Sequence, residues 1–564
     1  MQTDYQKLRF DYTRAAEHDA PSGAVHPVVV VGAGPVGLST AVDLAQQGVK
    51  VVLVDNDDTL SSGSRAICFA KRTLEIFDRL GCGDRMVEKG VSWNVGKVFL
   101  QDELIYTFNL LPETGHARPA FINLQQYYVE GYLADRAMQL DNLQMRWKSS
   151  VAGLTQHDDH VELQIETPDG AYPLRARYVV AADGARSAMR GLLGLDSRGR
   201  TFKDRFLIAD VKMKASFPTE RWFWFDPPFH RNQSVLLHRQ PDNVWRIDFQ
   251  LGWDADPVAE KAPERVIPRV KALLGEEVEF ELEWVSVYTF SCLRMNSFRH
   301  GRVLFAGDSA HGVSPFGARG ANSGVQDADN LAWKLRLVVN GDAPSALLDT
   351  YASEREFAAD ENILNSTRAT DFITPKSAVS RLFRDATLKL AKDCAFARRI
   401  VNSGRLSVPA VLRDSSLNTP DDPADSFSCA MVPGSVCTDA PVVADGKDAW
   451  FLHQLSGGAF TGVYFCGLHD DIGETAAQLA ALARLPVAVR PLIVAPRGVK
   501  VPPMAGVNVV EDAEGIVTHR FDARPGTFYL VRPDQHVCAR WRALDAAAIS
   551  AAVDRATCNA NPNG

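Results

Sequence analysis

Three closely spaced glycines constrain how this chain can begin to fold. The apolar run Val28 to Val31 ends in Gly32-Ala33-Gly34-Pro35-Val36-Gly37; Leu38 to Gln47 has helical composition, Gly48 breaks it, and Val49 to Val54 is a second apolar run. Strand, glycine turn, helix and strand follow in order, and strands without polar alternation belong to a parallel sheet covered on both faces. Gly32 suits the tight turn, Gly34 leaves room for a pyrophosphate to approach the backbone, and Gly37 lets the helix pack closely on the strand. The free N–H groups and positive end of that helix face the phosphates. Asp55 stands 23 positions after Gly32, near the ~20 expected of a carboxylate that accepts hydrogen bonds from a ribose. The pattern predicts a dinucleotide site, with a plain turn cap as the alternative role of Asp55.

Length and composition set the rest of the frame. At 564 residues the chain exceeds what one core usually serves, so several units are expected. No apolar run is long enough to span a bilayer, which argues against a membrane protein. The net charge of -8 argues against a nucleic-acid partner, which would need a basic face. Met1 to His26 is polar and reads as a solvated arm. Nine scattered cysteines without a C-x-x-C suggest neither disulfides nor a zinc site, so no metal is expected and a reducing cytoplasm fits.

The chain divides into four stretches. Residues 1–195 read as the first part of the dinucleotide-binding domain, with about 90–120 as a contribution to its neighbour. Residues 196–290 turn to aromatic, alternating strands such as Arg221-Trp222-Phe223-Trp224-Phe225 and Val244 to Phe249, a substrate-binding sheet. Residues 291–420 return to α/β character, with a long helix from about Asn322 to Val339. After an Asp-, Pro- and Ser-rich linker, residues 425–564 form a third unit, with strands expected over Trp450 to Gly467, Pro491 to Ala495 and Thr527 to Arg532.

Two further segments specify the dinucleotide. Tyr178 to Ala182 runs into Asp183-Gly184, with Ser187 and Arg190 beyond; Gly301 to Ala306 runs into Gly307-Asp308, followed by Pro315-Phe316-Gly317-Ala318-Arg319-Gly320-Ala321-Asn322. Together with the first turn, these segments resemble the three fingerprints of the single-component FAD-dependent aromatic hydroxylases, in order and spacing, over about residues 26–370. The tail Pro525 to Asp534 resembles that of phenol and 3-(3-hydroxyphenyl)propionate hydroxylases. The resemblance implies an α/β Rossmann-like FAD-binding domain, an antiparallel-sheet substrate domain like that of para-hydroxybenzoate hydroxylase, and a C-terminal thioredoxin-like domain.

By position, the resemblance assigns Gly32, Gly34, Pro35, Val36 and Gly37 to the FAD pyrophosphate and Asp55 with Asn56 to the adenosine ribose. Arg65 and Gln126 match flavin-side contacts, and Asp183 and Gly184 lie where pyrophosphate and pyridine nucleotide approach. Gly307 and Asp308 hold the ribityl chain, while Pro315, Gly320, Ala321 and Asn322 flank the isoalloxazine ring. The FAD is expected to be non-covalent, with NADH or NADPH as co-substrate and O2 activated as a flavin C4a-hydroperoxide. Where relatives often carry Gly and Gln, this turn has Ala318 and Arg319; Arg319 is open to three roles, attracting an anionic substrate, attracting the nicotinamide phosphate, or facing solvent.

A phenol is activated by deprotonation, so a polar group must reach its hydroxyl. Candidates in the middle sheet are Tyr288, His238 and Asp248; Tyr288 and His238, with Pro315 at the ring edge, form the catalytic set, and the ordinary reading of each is structural. His311 reads as a hydrogen-bonded structural residue. Arg221, Arg239 and Arg246 suit a carboxylate, though an arginine on a sheet face is usually solvated. The expected reaction is hydroxylation of a single-ring phenol next to an existing hydroxyl, in aromatic catabolism. Alternatives are a tailoring hydroxylase for a polycyclic substrate, a flavin reductase without oxygen insertion, and a binding protein that has lost its flavin. The oligomeric state stays open, with a homodimer as the arrangement considered.

Overall fold

The computed structural model describes residues 4–20, 24–63, 65–215, 217–401, 406–455, 457–468 and 472–560. Its first sheet orders Arg299–His300, Val303–Phe305, Gly170–Ala181, His26–Val31, Val51–Val54 and Leu143–Arg146 side by side. The strands from Val303–Phe305 to Leu143–Arg146 are parallel. Pro35–Gln46 starts its helix on a proline, which lacks the N–H that the first turn cannot use. Two of the glycines leave no room for a side chain: a Cβ on Gly32 would lie 2.5 Å from the Ala182 carbonyl oxygen, and one on Gly37, in the first turn of the helix, would lie 1.8 Å from that of Gly32.

The second sheet runs Glu281–Tyr288, Arg205–Lys212, Val244–Leu251, Ser234–Arg239, Arg221–Phe225, Val95–Leu100 and Glu103–Asn109. Neighbours are antiparallel except Arg221–Phe225 beside Val95–Leu100, which are parallel. Alternation sends Leu207, Ala209, Trp224, Leu237, Trp245, Ile247 and Phe249 into a core closed by Val266 and Val270 of the Pro263–Leu274 helix. The opposite face carries Arg221, Phe223, Leu236, His238, Arg246, Asp248, Ser286 and Tyr288 to a cavity shared with the first domain.

The C-terminal sheet places Val489–Pro496, Phe460–Phe465, Phe528–Val531 and Val537–Trp541 in that order, the first pair parallel and the rest antiparallel. Helix Ile472–Leu482 connects the parallel pair and Ala546–Ala556 follows the last strand, a thioredoxin-like arrangement. Within the segment Trp450 to Gly467, expected as strand, the structure has helix Phe451–Gln454 before strand Phe460–Phe465. Asp439 accepts the Leu452 N–H at 3.0 Å, satisfying a helix donor from outside the segment. Among the described residues no helix is long and apolar enough to cross a membrane.

A chain of buried charges joins this domain to the first. Lys334, on helix Gly320–Asn340, donates to Glu354 of helix Leu347–Ile373 at 2.7 Å. Arg532 of the C-terminal domain donates to both Glu354 oxygens, at 2.6 and 3.0 Å, and to Asp534. Lys334, Glu354, Arg532 and Asp534 have side chains at most 1% exposed. Removing one partner of a buried pair leaves an uncompensated charge and costs about 3–5 kcal/mol. Glu354→Gln is therefore expected to lower stability by about that amount, read as a lower urea midpoint by tryptophan fluorescence. An unchanged midpoint would mean that water compensates these charges.

Candidate active site

One cavity of about 1080 Å³ runs from Asp55 and Asn56 at one end to Phe290 and Tyr288 at the other. At its first end Gly34, Pro35 and Val36 form the wall, and a Cβ on Gly34 would meet nothing within 4 Å. Asp55 accepts the N–H groups of Ala33 and Asp57, at 2.5 and 2.8 Å, and burial raises its pKa. Gly37 and Gly307 do not line the cavity; they let its walls approach. Gly307 donates its N–H to Asp327 at 2.9 Å, and His311 shares that carboxylate at 2.7 Å, so this histidine is occupied by the scaffold.

Gln126 accepts the Ala66 N–H at 3.0 Å and donates to Ser61 and Glu130, at 3.0 and 2.8 Å, bracing the loop that carries Arg65 to the cavity. Asp183 caps helix Ala188–Leu192 through the Met189 N–H at 3.0 Å, and its other oxygen is buried with no partner among the described residues. Gly184 beside it faces open space. The Asp308 side chain is exposed to the cavity, desolvation by the neighbouring protein raises its pKa, and no hydrogen bond to it is found among the described residues. An orphaned Asp183 oxygen, a free Asp308 carboxylate and a glycine wall at a helix N-terminus fit a ligand with pyrophosphate and hydroxyl groups, as FAD has.

Farther in, Pro315, Phe316, Ala318, Arg319, Gly320, Ala321 and Asn322 curve around the cavity at the start of helix Gly320–Asn340. Ala318 sits at φ +51°, a left-handed conformation that a residue with a Cβ adopts only when its surroundings hold it there. Asn322 is the brace: it accepts the Ala70 N–H at 2.8 Å and donates to the Cys68 and Ala318 carbonyls, at 2.8 and 2.6 Å. Arg319 is 3% exposed and donates to the Phe316 carbonyl at 3.0 Å, which removes the solvent-facing role from its three alternatives.

The far end is aromatic with a few polar tips. The three arginines separate clearly: Arg246 is bound to Asp210 at 2.9 Å, Arg239 lies over the Trp245 ring outside the cavity, and Arg221 lines the cavity, 7% exposed. No hydrogen bond or ion pair to Arg221 is found among the described residues, and burial lowers its pKa. His238 is buried with its Nδ1 unpaired, and burial holds its pKa well below the ordinary value, so the ring is neutral at pH 7. Burial raises the Tyr288 pKa well above 10, keeping its hydroxyl protonated. Trp284, Ser286, Phe206 and Phe290 also line this end without a motif to mark them; Trp284 and Ser286 are in two-residue phase with Tyr288. The one His/Glu group among the described residues with metal-ligand spacing, His157, His160 and Glu162, lies on a hairpin away from the cavity, and Glu162 is paired with Arg175 at 2.8 Å.

Asp308→Ala removes a charge-assisted acceptor worth about 1.5–3 kcal/mol, roughly 10- to 160-fold in affinity. FAD titration into the apoprotein should show that weakening with the far-UV spectrum unchanged; equal affinity would make Asp308 a turn former only.

Comparison with known proteins gives the same picture. Residues 26–366 match the model of the family described as FAD binding domain. The chain is 29% identical over 543 residues to a 3-(3-hydroxy-phenyl)propionate/3-hydroxycinnamic acid hydroxylase of Mycolicibacterium gilvum, covering 93% of this chain and 90% of that one. A protein of the same name from Mycolicibacterium smegmatis is 30% identical over 387 residues, 67% of this chain and 66% of that one. The crystal structure of aklavinone-11 hydroxylase in a ternary complex with FAD and aklavinone superposes with a TM-score of 0.75 at 25% identity, over 95% of this chain and 100% of that one. The chain belongs to the FAD binding domain family and, within it, to the FAD-dependent aromatic hydroxylases, monooxygenases that draw electrons from NADH or NADPH.

Proposed function

We propose that the chain hydroxylates a single-ring phenol bearing a short carboxylated side chain, at the carbon next to the existing hydroxyl, as a cytoplasmic step of aromatic catabolism. The observation that carries this reading is Arg221: a buried guanidinium with no hydrogen bond or ion pair among the described residues, on a wall that includes Phe206, Phe223, Leu236, Phe290 and Phe316. A desolvated cation of this kind is costly unless a ligand anion neutralises it, and aromatic walls suit a ring. The relatives that cover most of this chain are named for a phenol with an acid side chain, which supports the same substrate class.

In the balanced reaction one oxygen atom of O2 enters a ring C–H bond as a new hydroxyl. The other leaves as water, with two electrons and a proton from NAD(P)H and one proton from solvent. Bound FAD supplies the electron transfer and oxygen activation that no side chain here can perform. The protein's own part is to seat the ring against the aromatic wall, hold the carboxylate at Arg221 and keep bulk water out through the buried sheet face. A polycyclic substrate is the second reading, favoured by the fold shared with aklavinone-11 hydroxylase along the whole chain.

Product formed per NAD(P)H consumed, compared for phenol, 3-hydroxyphenylpropionate, 3-hydroxybenzoate and a polycyclic phenol, separates the two. Tight coupling is expected with the carboxylated single ring, and tight coupling with the polycyclic compound alone would replace this reading. Arg221→Met should raise KM for the carboxylated ring by about 1.5–3 kcal/mol, roughly 10- to 160-fold, with a much smaller change for phenol. Equal changes for both would mean that Arg221 does not meet the carboxylate.

A further inference from the structure

Asp248 is the unexplained carboxylate of the substrate face. It lies on strand Val244–Leu251, opposite Leu236 on one side and Ile208 on the other, and points to the cavity with Arg246 two residues before it. It is 8% exposed, and no hydrogen bond to its side chain is found among the described residues. Asp210, on the adjacent strand, is tied to Arg246 through both oxygens, at 2.9 and 3.2 Å, and does not line the cavity. A buried polar group left without a partner needs a reason. Here the missing partner is a ligand, because the group faces the cavity rather than the core.

Its spacing from Arg221 supplies the ligand's shape. Arg221 and Asp248 stand on strands separated by one other, Ser234–Arg239. At the usual strand spacing their backbones are about 10 Å apart across the sheet, and they are offset by two residues along it, because Asp248 is in register with Leu236 and, beyond it, Phe223. An anion anchor at one end and a carboxylate acceptor at the other match the two ends of a single ring with a short acid side chain, carboxylate at Arg221 and hydroxyl at Asp248.

We propose that Asp248 is the catalytic base of this site, accepting the proton of the phenol hydroxyl while Arg221 holds the substrate's carboxylate. The assignment rests on the phenolic reading above. In the step the phenol O–H bond breaks and an O–H bond forms on the Asp248 carboxylate. The electron pair stays on the ring oxygen, which enriches the adjacent carbon that takes the new oxygen.

The other groups facing this point are less suited to the task. Tyr288 is held protonated, and His238 is a weak base because burial depresses its pKa. Cys68, pushed up to about 11, donates its S–H to Asn123 at 3.2 Å. Burial raises Asp248 to about 6; Arg246 pulls against the rise, Asp210 adds to it, and Arg221 pulls against it. The carboxylate is thus ionised at neutral pH and a stronger proton acceptor than an ordinary aspartate. Below about pH 6 it is protonated and cannot accept, so hydroxylation should fall on the acid side.

The test uses the FAD-loaded enzyme with and without Asp248→Asn. The variant should form hydroxylated product roughly 100-fold more slowly, at the lower end of what a general base contributes, with electrons diverted to H2O2 and the acid limb of the pH profile gone. A binding measurement keeps the outcome independent of turnover: bound 4-nitrophenol should ionise at higher pH in the variant, because asparagine cannot take up its proton. Asp248→Glu should restore part of the product yield. Wild-type product yield and acid limb in Asp248→Asn, with the bound probe's ionisation unmoved, would overturn this assignment alone. Absence of product from every phenol with the wild-type enzyme would overturn it together with the phenolic reading.

Discussion

Charge burial along the helix Gly320–Asn340 is the constraint on which the rest of the structure depends. Asp327 pairs with His311 and Arg355, Asp329 with Arg72 and Arg79, and Lys334 with Glu354, which in turn takes Arg532 of the C-terminal domain. A charge removed from water is tolerable only when an opposite charge and hydrogen bonds arrive with it. These partners come from segments scattered between Arg72 and Asp534, so the helix settles only when all of them do. Its first turn, with Gly320, Ala321 and Asn322, forms part of the cavity wall. Among its described residues the C-terminal domain contributes none to the cavity lining, yet it closes the charge network that seats this wall.

The middle sheet has a different economy. One face is filled by interlocking apolar side chains and is satisfied without any ligand. The other exposes Arg221, His238, Asp248 and Tyr288 to the cavity, without hydrogen bonds among the described residues to the Arg221, Asp248 and Tyr288 side chains. This face therefore mixes a satisfied structural charge, Arg246, with polar side chains that a substrate could engage. Arg246 and Arg221 show the contrast on one face: the first has Asp210 and serves the fold, and the second has no ion pair among the described residues.

Much of this organisation was legible before any coordinates. Gly32, Gly34 and Gly37 marked a turn whose tightness the Cβ distances at Gly32 and Gly37 explain, and Asp55, Asp183 and Asp308 converge on the cavity that Gly32 and Gly34 border. The alternation of Trp222, Phe223, Trp224 and Phe225 separated core-facing from cavity-facing rings, as the packing of Trp224 and the position of Phe223 show. Less legible were Trp284 and Phe206, which carry no motif, and the short helix Phe451–Gln454, whose Leu452 N–H is taken by Asp439 from outside the segment.

What the sequence by itself determined is what neighbouring residues dictate: backbone turns that only glycine permits, the two-residue and helical periodicities that divide inside from outside, and the order of the three nucleotide-binding segments. Only the tertiary structure decided which of Arg221, Arg239 and Arg246 lines the cavity without an ion pair among the described residues, that Arg319 is buried, and that His311 belongs to Asp327. The reason is physical. Local conformation depends on dihedral preferences and burial period, which a short window contains, whereas the partner of a buried charge is chosen by long-range packing that brings distant strands and helices within hydrogen-bond reach.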